Sequence, residues 1–491
     1  MRILLTLCLV FGLAARCRPV DADDTKPMVP DLTQGGKPGN PQQNPNSGEG
    51  PMKSGDSSSQ LTVDRIFSGD EFQEEQISTI TWSKLGAAYF TLKVAEAGSN
   101  GQALVRVDVA SGTEKVVVPP SACIPPGESK PVTVDGFAFS ADESRLLIYT
   151  NSQRVWRLKT RGDYWVLDIA TRELKKLGGE AAPSTLMFAK FSPDGSHVAY
   201  VREKNLYVQD VRDMRITELT TDGSAKLVNG TADWVNEEEL MIRDGYRFSP
   251  DGQSIAFWRF DTTGVEDFHL IDNTQGTYPR VTSFPYPKVG KTNSASRIGV
   301  VGTTDGEVRW LDLPGDPREH YLPQMEWAPD GQSILIQQMN RLQNINQVML
   351  WDMKTSTIRK ILTETDPAWL ENENPVRWVN HGKGFVWLSE RNGWRHAYRA
   401  CADGNGFSAI TEGDFDVLSV ESIDEAYGQL YFAASPDNPT QRTCIGCHSM
   451  ARSPNACRQR TSPVGIPMRY HPIRVGRSTD TRRSPSHRSS S

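Results

Sequence analysis

Phe191-Ser192-Pro193-Asp194-Gly195-Ser196-His197-Val198-Ala199-Tyr200-Val201 joins an aromatic residue and a tight polar turn to a strand with alternating apolar side chains. Proline presets the first turn dihedral, aspartate bonds back to its own backbone, and glycine takes the left-handed position. The theme returns at Phe139-Ser140-Ala141-Asp142, Phe248-Ser249-Pro250-Asp251-Gly252 and Trp327-Ala328-Pro329-Asp330-Gly331. Weaker copies begin at Trp82-Ser83-Lys84, Trp378-Val379-Asn380-His381-Gly382 and Asp424-Glu425-Ala426-Tyr427-Gly428. Short strands repeating roughly every 45–60 residues predict an all-β propeller with one four-stranded blade per repeat. A β-sandwich with unrelated turns has no reason to repeat aromatic-Ser-Pro-Asp-Gly. The interval from Phe248 to Trp327 has room for another blade or a large insertion, so periodicity leaves seven and eight blades open.

The chain has 491 residues, enough for a large propeller. Its 37% hydrophobic and 23% charged content is ordinary for a soluble globular protein. A net charge of −6 gives no reason to expect nucleic acid or an anionic membrane as partner. Residues 1–22 read as a secretory signal, with Arg2, an apolar run from Ile3 to Ala15, and small residues at Val20-Asp21-Ala22. The run is short for a membrane span. The expectation is export to the periplasm or medium without stable membrane insertion; an uncleaved anchor is the alternative. Residues 23–60 are Pro, Gly, Ser, Asn and Gln with almost no large apolar residue, so a disordered linker is expected. The propeller is expected over 61–442. Only Cys123 and Cys401 belong to it, and no spacing argues that they pair.

One stretch departs from the blade pattern: Asp233-Trp234-Val235-Asn236-Glu237-Glu238-Glu239-Leu240. Carboxylates this close repel one another and raise one another's pKa, so the group is poised for a cation. A peptide α-ammonium carries one charge and three donors, which two carboxylates match. Asp233 fits the N-cap of a short helix bearing them. For an isolated glutamate triplet a solvated acidic turn is the plainer reading.

The body resembles the N-terminal propeller of dipeptidyl peptidase IV-like serine peptidases. The resemblance is carried by Val155-Trp156-Arg157 with Gly162-Asp163-Tyr164-Trp165, by Asp233 to Leu240, by Tyr286-Pro287-Lys288-Val289-Gly290 with Asn293, and by Ser389-Glu390-Arg391-Asn392-Gly393-Trp394-Arg395-His396. It implies eight blades, with the last one incomplete here. It implies that Glu238 and Glu239 hold the substrate's amino terminus, with Glu237 structural or exposed. It implies that Arg157 reaches a substrate carbonyl or carboxylate, a task suited to its planar fork. It also implies an α/β-hydrolase domain as intramolecular partner, release of N-terminal dipeptides, and homodimers in intact members. Asn236 stands where the family more often has an aromatic residue, which weakens local packing.

No Gly-x-Ser-x-Gly elbow occurs in the chain, and no α/β pattern follows the propeller. The expected function is therefore the substrate-gating, N-terminus-recognising propeller of such an exopeptidase, truncated and inactive alone and needing no cofactor. The alternative is a free-standing exported propeller serving as a protein-binding scaffold. Residues 443–491 are rich in Arg, Ser and Pro and contain no Lys. Regrouping their permitted codons by one base allows a blade strand closing on Asp-Gly, so this basic tail reads as a frameshift product expected not to fold. Cys444-Ile445-Gly446-Cys447-His448 matches a c-type haem attachment pattern. On the frameshift reading that match is accidental.

Overall fold

Three of the repeat turns are locked by a serine hydroxyl. Ser192 Oγ donates to Asp194 Oδ1 at 2.5 Å and accepts from the His197 amide at 3.0 Å. Ser140 with Asp142 and Ser249 with Asp251 repeat the arrangement at 2.6 and 2.5 Å. Gly252 and Gly331 take φ values of +71° and +67°, a region where a Cβ is costly. They also lie against the turn of the preceding repeat: a Cβ on Gly252 would stand 3.4 Å from Pro193, and one on Gly331 3.5 Å from Pro250. The turns therefore stack from one repeat to the next, and the repeat motif sets both strand reversal and blade spacing.

These turns hold carboxylates in their ionised form. The Ser140 and Ser144 bonds bring Asp142 down to about 2, and Asp251 is lowered by Ser249 and the Gln253 amide. A carboxyl depressed in the fold contributes stability above its unfolded pKa and loses it as pH falls through the folded value. Between pH 4 and 2, Asp142→Asn is expected to lose less thermal midpoint than the native chain. A steeper acid loss in the variant would refute this.

The computed structural model describes residues 61–68, 71–72, 80–94, 101–371 and 375–448. The expected signal, the linker before Leu61 and the tail beyond His448 lie outside them. A separate N-terminal unit holds a one-turn helix, Val63–Phe67, capped by Thr62. The remainder is an all-β propeller of seven blades. Four-stranded sheets run over Ile80–Val118, Gly136–Lys176, Met187–Glu218, His320–Thr365 and Arg377–Ala409. The fourth blade, Leu227–Trp310, has five strands, and the seventh, Val417–His448, has three among the described residues.

Seven blades correct the expectation of eight. The interval after Phe248 holds an insertion instead of another blade. A two-stranded hairpin, Asp267–Asp272 with Arg280–Pro285, interrupts the fourth sheet, whose strand Ala295–Gly302 then pairs with Ser254–Asp261 along its length. The expectation that the tail does not fold is corrected for its first six residues. Thr443–His448 pair with Gln429–Ala434, and Ile445 is 1% exposed. Alternating apolar residues suffice to finish a strand on an available sheet edge. Side chains at i and i+3 of a strand point to opposite faces, so Cys444 and Cys447 diverge.

Buried clusters join neighbouring blades. Phe90 and Leu104 meet Phe139 and Ile148; Leu147 and Val166 meet Val198 and Tyr200; Leu206 and Val208 meet Tyr246 and Phe257. Trp258 and Ile298 meet Leu322 and Ile334; Leu335 and Val348 meet Phe385 and Trp387; Val386 and Leu388 meet Val417 and Phe432. Cys123 belongs to the first of these clusters with a free thiol, so it does not pair with Cys401.

Candidate functional site

The acidic stretch forms the helix Trp234–Glu239. Asp233 caps it, as the sequence suggests. Its Oδ1 accepts from the Asn236 amide at 3.1 Å and from Asn236 Nδ2 at 2.7 Å, and its Oδ2 accepts from Ser294 Oγ. Burial pushes the Asp233 carboxyl up, against the pull of the Ser294 and Asn236 bonds. Asn236 is only 1% exposed. It thus does more than replace an aromatic residue: its side chain adds a second bond to the cap, and its carbonyl accepts from the Ile242 amide at 3.0 Å.

The three glutamates part company. Glu237 pairs with Arg243 at 3.6 Å. Burial raises its pKa, which Arg243 opposes and the neighbouring Glu238 reinforces. Glu238 pairs with Arg157, Oε2 to Nε at 3.1 Å. The carboxylate side chain is 13% exposed and the arginine 79%, so a sheltered anion sits under a cation that solvent surrounds. Glu239, the last helical residue, is exposed. The structure therefore brings Arg157 to Glu238 and leaves Glu239 exposed at the helix end, outside the lining of the cavity described next.

Arg157 arrives on an unusually long hairpin, Arg145–Val155 and Leu158–Asp168, eleven residues a side. Its tip turns at Trp156, with φ of +55°. Tyr149 braces the hairpin by donating its hydroxyl to the Arg161 carbonyl at 2.8 Å. Gly162 leaves room for that ring, since a Cβ there would stand 2.3 Å from it. Trp156 meets Phe284 of the inserted hairpin, ring centroids 5.0 Å apart, and Trp234 meets Phe284 and Tyr286 at 5.5 and 4.6 Å. Together with Arg157 and Glu238 these rings line an open cavity of about 790 Å³. A second cavity of about 380 Å³ shares Trp156, Trp234 and Phe284 and receives Glu237. The Tyr286-Pro287-Lys288-Val289 loop closes the larger cavity on one side.

Phe284 and Phe268 escaped the sequence reading. They belong to an insertion without repeat periodicity, and nothing in their spacing ties them to Trp234. The segment Ser389 to His396 serves structure instead: Ser389 and Arg391 bond Glu364, while His396 sits between Thr411 and the Gly413 carbonyl.

Comparison with known proteins agrees with this architecture. Residues 140–444 match the family described as dipeptidyl peptidase IV (DPP IV) N-terminal region. A protein named probable dipeptidyl peptidase 4 from Emericella nidulans is 30% identical over 348 residues, which are 67% of this chain and 44% of that protein. A probable dipeptidyl-aminopeptidase B from Penicillium rubens is 29% identical over 330 residues, 62% of this chain and 36% of that one. The chain thus spans less than half the length of these relatives. The crystal structure of Porphyromonas gingivalis dipeptidyl peptidase 4 superposes with a TM-score of 0.71 at 24% identity, over 79% of this chain and 54% of that one, a likeness of fold.

Proposed function

The chain belongs to the dipeptidyl peptidase IV family, whose N-terminal region it carries, and on that premise we propose that its propeller recognises the free amino terminus of a peptide substrate. The observation that carries this reading is the sheltered Glu238 carboxylate, held 3.1 Å from an exposed Arg157 at an open cavity. Partial burial strengthens its attraction for an ammonium by lowering the local dielectric. An incoming amino terminus takes over the Glu238 contact, with the exposed Glu239 as second carboxylate. The released Arg157 then meets a ligand carbonyl. Glu237, already paired with Arg243, holds the helix end in place.

Binding of this kind gates substrate and sets its register; it does not cleave. Acyl transfer needs a positioned nucleophile and base, and the 491 residues contain no Gly-x-Ser-x-Gly elbow. The proposed natural partner is an α/β-hydrolase domain, the pair working outside the cytoplasm in N-terminal dipeptide release. The propeller by itself is proposed to leave an Xaa-Pro chromogenic substrate intact.

Calorimetric titration with an Ala-Pro-Gly peptide, free or N-acetylated, tests the reading. The free amine is expected to bind at least about tenfold tighter, the low end for a desolvated charge pair. Equal affinities would overturn the proposal and favour a protein-binding scaffold.

A further inference from the structure

Cys401 ends the strand His396–Cys401 in the sixth blade. It is disulfide-bonded, and its partner is none of Cys123, Cys444 and Cys447. The partner therefore lies outside the described residues, which leaves Cys8, Cys17 and Cys457. Successive side chains of a strand alternate between faces, so Cys401 shares its face with Ala397. Ala397 belongs to the cluster that holds Val417, Phe432, Ile445 and Cys447 of the seventh blade. Cys401 therefore faces that blade, at the end of the strand that pairs with Gly384, beside the repeat turn.

The described chain leaves the seventh blade at the same end. Its last residue, His448, pairs with Gln429, which follows the turn Glu425–Gly428. The repeat turns of the two blades meet there, since the Asn380 amide donates to Glu425 Oε2. Cys457 follows His448 by nine residues, a span of up to about 30 Å when extended. Arg452, Arg458 and Arg460 flank Cys457 in the sequence. Asp403 and Glu425 stand exposed at this end of the two blades, so opposite charges favour the approach. Cys8 and Cys17 belong instead to the stretch that reads as a secretory signal.

We propose that Cys401 and Cys457 form a disulfide that clamps the end of the seventh blade to the sixth. The last described strand, Thr443–His448, pairs with a strand on one side only among the described residues. A crosslink just beyond it means that fraying must carry a closed loop instead of a loose end. The bond forms in two exchange steps. One cysteine thiolate attacks an external small-molecule disulfide, giving a mixed disulfide and releasing one thiol. The other cysteine thiolate attacks the protein sulfur of that mixed disulfide and expels the second thiol. The two cysteine protons end on the released thiols, and the external disulfide takes the two electrons. Such oxidants persist outside the cytoplasm, where the chain is proposed to work. The inference does not depend on the amino-terminus reading of Glu238.

The test is a non-reducing tryptic map of the full chain, incubated with oxidised glutathione and then alkylated. Trypsin cuts after Arg399, Arg442, Arg452 and Arg458, so Cys401 and Cys457 fall in separate peptides, both distinct from the one with Cys444 and Cys447. A linked pair carrying Cys401 and Cys457 is expected, and reduction should split it. Cys401 recovered alkylated, linked to Cys8 or Cys17, or linked only between two molecules overturns the proposal. Hydrogen exchange tests the clamp. In Cys457→Ser, amides of Thr443–His448 should exchange at least about tenfold faster than in the oxidised native chain, the low end for loss of a crosslink. Those of Ser254–Asp261 should not change. Reduction of the native chain should give the same pattern, which separates loss of the bond from the effect of the serine. Equal exchange of Thr443–His448 in all three states would mean that the bond clamps nothing and would overturn the proposal as well.

Discussion

Asp233→Ala is expected to destabilise the propeller by about 3 kcal/mol and to abolish the distinction between free and acetylated amino termini. Two costs add. Loss of an N-cap costs about 1 kcal/mol, and buried donors left without an acceptor cost roughly 1–3 kcal/mol more. The donors here are Ser294 Oγ and the Asn236 side chain and amide, all of which end on this one carboxylate. Ser294 precedes the strand Ala295–Gly302, so the loss reaches the fourth blade as well as the helix. Asp233→Asn keeps an acceptor of similar shape and should cost about 1 kcal/mol. Urea unfolding of the three proteins gives the comparison. If the alanine variant unfolds at the native midpoint, the cap carries no stability, and the positioning of Glu238 must come from elsewhere.

Glu238→Ala separates binding from folding. Among the described residues the ion pair of Glu238 is with an exposed arginine, so its removal should leave the urea midpoint near native while the preference for a free amine disappears. An exposed ion pair contributes roughly 0–1 kcal/mol to stability.

How far the residues disclose this arrangement depends on which forces encode it. Blade turns are legible because proline, aspartate and glycine act on the backbone beside them, and the stacking of Gly252 on Pro193 repeats that local chemistry around the ring. The Asp233 cap is legible for the same reason. The blade count was less so. Residues 267–285 alternate like a blade pair, but both strands stay largely exposed, and a hairpin of two strands is too small to form a packed blade. Arg157 could be named from its motif, but its partner could not. The contact with Glu238 spans two blades and depends on the length of a hairpin that only its pairing register reveals. The aromatic lining of the cavity left no signal, because Trp156, Trp234 and the inserted hairpin that carries Phe268 and Phe284 are separate segments without shared periodicity. Thr443–His448 shows the reverse case: a segment read as structureless satisfies an open sheet edge with only a few apolar residues.

Hydrogen exchange should begin at the two ends of the ring. Six buried clusters connect seven blades in succession, and among the described residues no cluster joins the seventh blade to the first. The first blade has a small cluster of its own, Ala103, Val105 and Val107, packed only against Tyr89. By contrast, the core between the fourth and fifth blades gathers Trp258, Phe260, Trp327 and Trp351 with their aliphatic neighbours. Each interior blade is buried on both faces, whereas the first and seventh each have one face that no blade cluster covers. Local opening is governed by the apolar contacts a segment must give up. Amides of Ala88–Val94 and Gln429–Ala434 should therefore exchange about 100-fold faster than those of Ser254–Asp261, a difference of about 2.7 kcal/mol in opening free energy. Three-strand pairing in the seventh blade adds to this, because its final strand offers an edge that no further described strand covers. Uniform protection across all seven blades would mean that the ring is closed by contacts outside the described residues. A gradient rising from both ends to the fourth blade would identify the seam as the place where unfolding, and edge-to-edge association, starts.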